Sequence, residues 1–197
     1  HSFPTRRSSD LSRRGACAMS FPRPMTAPMT SGTWQTILSV SNSTNDTLAA
    51  GYTGRLYFAN GVLTTSVTGG SQIRVTFAAG ASNWAITKAY IGHQSGTIDF
   101  VTTPVQLLFG GSASTTVTAG STTVSDGASF AWDTTKGLVI SVYNSSGGHS
   151  WKRGAALTSC GDYYKGPVDD AATVTTSGYT SDQVNQAVGI NKIEVFA

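Results

Sequence analysis

Charge is scarce in this chain. Asp, Glu, Lys and Arg make up 12% of its 197 residues, about half the usual share. The distribution is uneven. Residues 1–23 hold Arg6, Arg7, Arg13, Arg14 and Arg23 against Asp10 alone, a net +4, so an overall charge of +3 leaves −1 for the remainder. That near-neutral remainder lacks the clustered Lys and Arg that follow a phosphate backbone, so no nucleic-acid partner is expected. Cysteine is almost missing. Cys17 and Cys160 cannot build a disulfide framework, and they leave the redox compartment open. No run approaches the ~18 apolar residues of a membrane helix, so no membrane span is expected. The N-terminal arginines precede no continuous apolar segment, so no secretory signal is legible. Helical periodicity is absent except for one turn expected near Ser181 to Ala187, and no solenoid repeat is present. No C-x-x-C or H-x-x-x-H spacing links His93, His149, Cys160 and Asp162. Neither a zinc site nor a cofactor is therefore expected.

What is abundant is glycine, at 22 residues, together with serine and threonine. The stretch 105–144 shows how they are used. Val105 to Phe109 is apolar, and Gly110-Gly111 interrupts it. Thr115 to Thr118, Thr122 to Val124 and Leu138 to Tyr143 follow, separated by Ala119-Gly120 and by Asp126-Gly127, a hairpin signal. Short β-rich runs between Gly, Ser and Asp punctuation predict antiparallel strands. Trp34 to Val40, Gly54 to Ala59, Val62 to Thr68, Gln72 to Phe77, Trp84 to Gly92 and Ile98 to Val101 extend the series, and Ala171 to Thr175 is a weaker member. A closing strand is read in Asn185 to Ala197. Asn60-Gly61 reads as a two-residue hairpin turn. Ser41 to Ala50 and Ser145 to Asp170 read as loops. The fold class is therefore all-β: one antiparallel β-sandwich, jelly-roll-like, over 33–197, preceded by a disordered tail over 1–32. Within that tail, residues 1–11 (HSFPTRRSSDL) match the in-frame translation of a common sequencing adapter. They are read as an artefact of metagenomic assembly rather than as protein.

Catalytic patterns are weak. Gly92-His93-Gln94-Ser95-Gly96 places its serine one position late for a nucleophile elbow. His149, Asp162 and a serine could form a triad, but spacing alone does not assemble one. Asp162, Asp169 and Asp170 read either as oxygen ligands for calcium or as solvated loop acids. The stretch 145–170 is the strongest binding candidate. It gathers His149, Trp151, Asp162, Tyr163 and Tyr164, and aromatic rings with polar neighbours suit the C–H faces and hydroxyls of a sugar, or a protein surface. The alternative is that Trp151 and one tyrosine close the open end of the sandwich. Trp34, Trp84 and Trp132 read as core or rim packing.

In order along the chain, GSQIRVTF (Gly70 to Phe77), Ala89 to Ile91, LFGGS (Leu108 to Ser112), VTAG (Val117 to Gly120), VSD (Val124 to Asp126), LVISVY (Leu138 to Tyr143), His149 and Gly161-Asp162 resemble a known family. It is the accessory β-sandwich domain found beside bacterial GDSL-type, or SGNH, esterases. The resemblance spans about residues 62–165. In that family the chemistry belongs to a separate α/β domain with a Gly-Asp-Ser block and a distal Asp-x-x-His, and neither occurs here. The resemblance thus implies a binding or structural module without the enzyme, and the aromatics of 145–170 with the absence of catalytic motifs lead to the expectation of a non-catalytic module binding carbohydrate or a surface ligand. Two alternatives stand beside it: a self-associating subunit of a phage or cell-surface appendage, and a cryptic SGNH-associated esterase. The expected location is extracellular or virion-associated.

Overall fold

The computed structural model describes residues 32–64 and 66–197, so the expected tail lies outside the described residues except for Gly32. Fifteen strands follow in order. They are β1 (Trp34–Ser39), β2 (Asn42–Leu48), β3 (Thr53–Phe58), β4 (Gln72–Ala78), β5 (Trp84–Ile86), β6 (Lys88–Ser95), β7 (Asp99–Phe100) and β8 (Val105–Leu107). Then come β9 (Thr115–Val117), β10 (Thr122–Val124), β11 (Ala128–Ser129), β12 (Leu138–Tyr143), β13 (His149–Lys165), β14 (Thr180–Val188) and β15 (Ile190–Phe196). Every pairing is antiparallel. The smaller sheet runs β1-β15-β4, with β10 and β11 both on the far side of β4. The larger runs β14-β13-β3-β12-β6-β7, with β2 added to β13 and β8 to β6. A separate ribbon joins β5 to β9. The chain passes repeatedly from one sheet to the other, which is the jelly-roll habit.

One apolar layer fills the sandwich. Ile73, Val75 and Phe77 of β4, with Ile193 and Val195 of β15, meet Leu56 and Phe58 of β3 and Leu138, Ile140 and Val142 of β12. Each set comes from alternate positions, as the two-residue strand period requires. In β12 the intervening Val139 and Ser141 are buried as well. The reason is that the outer face of the larger sheet is covered. Phe100 of β7 lies over Gly92, where an added Cβ would meet its ring at 2.5 Å. The segment 168–179 extends the cover, with Phe100 N–H donating to Val174 O at 2.9 Å. A strand buried on both faces reads as a continuous apolar run. Alanine at position 92 must lift Phe100. We expect a loss of roughly 1–3 kcal/mol in urea denaturation; an unshifted midpoint would show that Phe100 is not seated there.

Several expectations need correction. Neither Asn60 nor Gly61 has positive φ, and Asn60–Val62 is a single 3-10 turn. No hairpin forms, because β3 is already paired on both sides, by β12 and β13. Asp126-Gly127 is no hairpin either. β10 and β11 pair antiparallel with the same strand, β4, and so run in one direction. Asp126 instead accepts the N–H groups of Gly110 and Gly111 at 2.9 and 2.7 Å. The loop read over Ser41 to Ala50 contains β2, and most of the loop read over Ser145 to Asp170 is β13. The helical turn near Ser181 to Ala187 is strand β14, and Ala171 to Thr175 is not a strand. Register shifts at Arg153/Ala156, Ala156/Gly161 and Gly161/Tyr163 explain why β13 and β14 were illegible. Each shift resets the alternation that a strand pattern depends on. The Trp84 to Gly92 run divides at Thr87, so Ile86 is buried together with Ala89 and Ile91.

Candidate functional site

Burial separates the five residues read as a binding loop. Trp151 is fully enclosed and His149 nearly so. The two rings stack with centroids 4.7 Å apart, and Trp84 meets Trp151 edge-on at 5.5 Å. Trp84 Nε1–H donates to His149 Nδ1 at 3.1 Å. That bond makes Nδ1 the acceptor, so Nε2 carries the proton and donates to Tyr52 O at 2.9 Å. Burial pushes His149 down to about 4. An enclosed ring offers a ligand no face, so the expectation of a platform on Trp151 and His149 is corrected: both are core. With both ring nitrogens engaged by Trp84 and Tyr52, His149 is not held by Asp162 or by a serine. Core or rim packing holds for all three tryptophans: Trp84 and Trp132 are core, and Trp34 is half-exposed at the rim against Phe196 and the guanidinium of Arg74, 4.3 Å from its ring centre.

Tyr163 and Tyr164 are both half-exposed but, as neighbours on one strand, point to opposite faces. Tyr164 packs with Tyr52 at 5.8 Å. Tyr163 lies on the outer face, opposite Arg55 in register, and pairs with Tyr57 at 6.2 Å and 53°. Next to them Gly161 faces Tyr57 on β3 and Val184 on β14. The missing side chain matters, because a Cβ at 161 would lie 2.4 Å from Gln183 O and 3.1 Å from the Tyr57 ring. Val184 is 59% exposed. The backbone is unusual at this point. Ser159 (φ 67) and Asn185 (φ 59) are the two non-glycine residues with positive φ among those described, and Ser159 N–H donates to Asn185 Oδ1 at 3.2 Å. Such conformations cost of order 1–3 kcal/mol each and gather at binding sites and bulged edges. Tyr57, Tyr163 and Val184 thus form an aromatic and apolar patch at the edge of the larger sheet, with Ser181 opposite Tyr163 in register.

Beneath the patch lies Asp162, 1% exposed. Its Oδ1 accepts Gln183 N–H at 2.9 Å, and Oδ2 has no donor. Burial is the main cause that pushes this carboxyl up to about 7, and Asp182 and Asp46 add to it. Arg153 donates to Gln183 Oε1 at 2.8 Å and stands 3.9 Å from Asp46. Burial and then Tyr163 also raise Tyr57. Cys160 is a free buried thiol, pushed up to about 11 by burial. Asp169 pairs with Lys88, and Asp170 with Lys165, so the three acids weighed as calcium ligands are dispersed. Among the described residues no group of three or more His, Cys, Asp or Glu is placed to hold a metal, and no helix is long and apolar enough to cross a membrane. Sequence reasoning missed Tyr57, Val184 and Asn185. The alternation of Arg55 and Tyr57 against Leu56 and Phe58 was visible, but which strands would flank it was not. No family model matches the chain, and no curated protein matches it.

Proposed function

We propose that this chain is a non-catalytic binding module. It recognises carbohydrate or another surface ligand with the Tyr57–Tyr163–Val184 patch, in an extracellular or virion-associated setting. One observation carries the reading: two half-exposed tyrosines are tilted against each other at 6.2 Å, on strands whose neighbouring residues Ser159 and Asn185 take positive φ. Rings of this kind stack on sugar C–H faces, while the exposed Ser181 supplies a hydroxyl beside Tyr163. The accessory-domain resemblance supports the same reading. Affinity electrophoresis through polysaccharide gels tests it. We expect retardation of the wild type, weakened at least roughly tenfold in Tyr57→Ala and in Tyr163→Ala, as befits aromatic anchors. Trp151→Phe, a change inside the core, should leave it intact. A glycan panel that retains no wild-type protein would sink the proposal.

A second reading has its own observation. Strand β14 is nine residues long, pairs among the described residues with β13 alone and exposes Val184. Such an edge can pair with another copy, as an appendage subunit requires. Light scattering at high concentration should then show assemblies that Val184→Lys disperses; a monomer throughout removes this reading.

A further inference from the structure

Arg55 is fully buried on the outer face of β3, two residues before Tyr57 and opposite Tyr163 in register. Its guanidinium carbon is 4.4 Å from the ring centre of Phe100 and 5.6 Å from that of Tyr179. Nη1 donates to Ile98 O at 3.0 Å, and Nη2 donates to Asp170 O at 3.1 Å and to Thr173 O. These acceptors are backbone carbonyls of the covering segments. No carboxylate is within ion-pairing distance among the described residues: Asp170 is bound to Lys165 and Thr173, and Asp99 to Thr176. A guanidinium has five N–H donors, and here Nε–H meets no acceptor.

Two neighbours share this condition. Ser141 is the direct cross-strand partner of Arg55, on the same face, and is fully buried; its Oγ has no partner. Tyr179, whose ring centre is 5.6 Å from the guanidinium carbon, has a buried Oη with no partner. One N–H donor and two hydroxyls, each able to donate, are therefore left without a partner on neighbouring elements. Buried donors of this kind are rarely left unpaired in folded proteins, and an interior water or ion typically makes two to four such bonds.

We propose that Arg55 Nε, Ser141 Oγ and Tyr179 Oη enclose a single one-atom acceptor, a halide ion or a water oxygen, which ties the 168–179 segment to the larger sheet. The shared chemistry is acceptance of three hydrogen bonds. The site is held by β3, β12 and the covering segment, and it adjoins the tyrosine patch on the same face of β3.

Two conservative variants test the proposal, because each deletes one hydroxyl and little volume. If an acceptor is bound, Ser141→Ala and Tyr179→Phe each lower the melting temperature by several degrees, since a partnered group is lost. If the hydroxyls are truly orphaned, removing them leaves the melting temperature unchanged or raises it, and the proposal fails. A crystal grown from sodium bromide identifies the occupant. An anomalous peak in hydrogen-bonding distance of Arg55 Nε assigns a halide, and exchange of chloride for gluconate at constant ionic strength should then lower the melting temperature. Ordinary density without an anomalous signal assigns water, with no chloride dependence. Clear density for all three side chains with nothing between them overturns the site.

Discussion

Asp162→Asn is expected to stabilise the protein at pH 8 and to do little at pH 4. The wild-type carboxyl titrates at about 7 in the folded chain, from an ordinary value of 3.8. Between those values the folded state holds a proton that the unfolded state has released. Stability therefore falls as pH rises across that window, because the unfolded chain binds fewer protons. The full displacement corresponds to on the order of 4 kcal/mol, an upper figure. Asparagine keeps the acceptor for Gln183 N–H, which Asp162 Oδ1 provides at 2.9 Å, and cannot ionise. We expect a gain of about 1–3 kcal/mol at pH 8 by urea denaturation, shrinking to nothing near pH 4. A gain of equal size at both pH values would show that packing, not ionisation, is responsible.

His149→Gln should show the opposite pH dependence. Folding holds this imidazole neutral to about 4, from an ordinary value of 6.5. Between 4 and 6.5 the unfolded chain binds the extra proton, so stability rises with pH there and is lost on acidification. The displacement is worth ~3 kcal/mol. Glutamine can accept from Trp84 Nε1–H and donate to Tyr52 O but does not titrate. The variant should therefore lose less stability than wild type between pH 6.5 and 4. The two groups oppose each other over most of one window. The wild-type profile conceals both, and each single variant exposes the other. Parallel curves for wild type and His149→Gln would mean that the ring is hydrated in solution.

How far the sequence could be read depended on whether a strand kept its period. Leu138 to Tyr143 and Gln72 to Phe77 have no bulge, and they form β12 and β4 where expected. His149 to Lys165 does not keep register, since its partners shift at three places. Its glycines and polar residues look like loop, although their backbone groups are paired with β2, β3 and β14. The same shifts hid the candidate site. Trp151 drew notice as a large aromatic, but Gly54 makes room for its ring inside the core, where a Cβ would meet it at 2.9 Å. Tyr57 carried no such signal, because its exposure depends on Gly161, a residue distant in sequence and adjacent in space. The unpartnered polar groups around Arg55 were invisible for a similar reason: they come from three separate parts of the chain.

The central position of β15 in the smaller sheet bears on how the molecule is made. It pairs with β1 on one side and with β4 on the other, and it is the last of the described strands. During synthesis, Trp34–Ser39 and Gln72–Ala78 must wait with facing edges open until Ile190–Phe196 leaves the ribosome. Pairings so remote along the chain form slowly, on the ms–s scale typical of such topologies. In that interval the exposed edges are open to other chains. Yield should therefore respond more to growth temperature and chaperone supply than to the equilibrium stability of the finished fold.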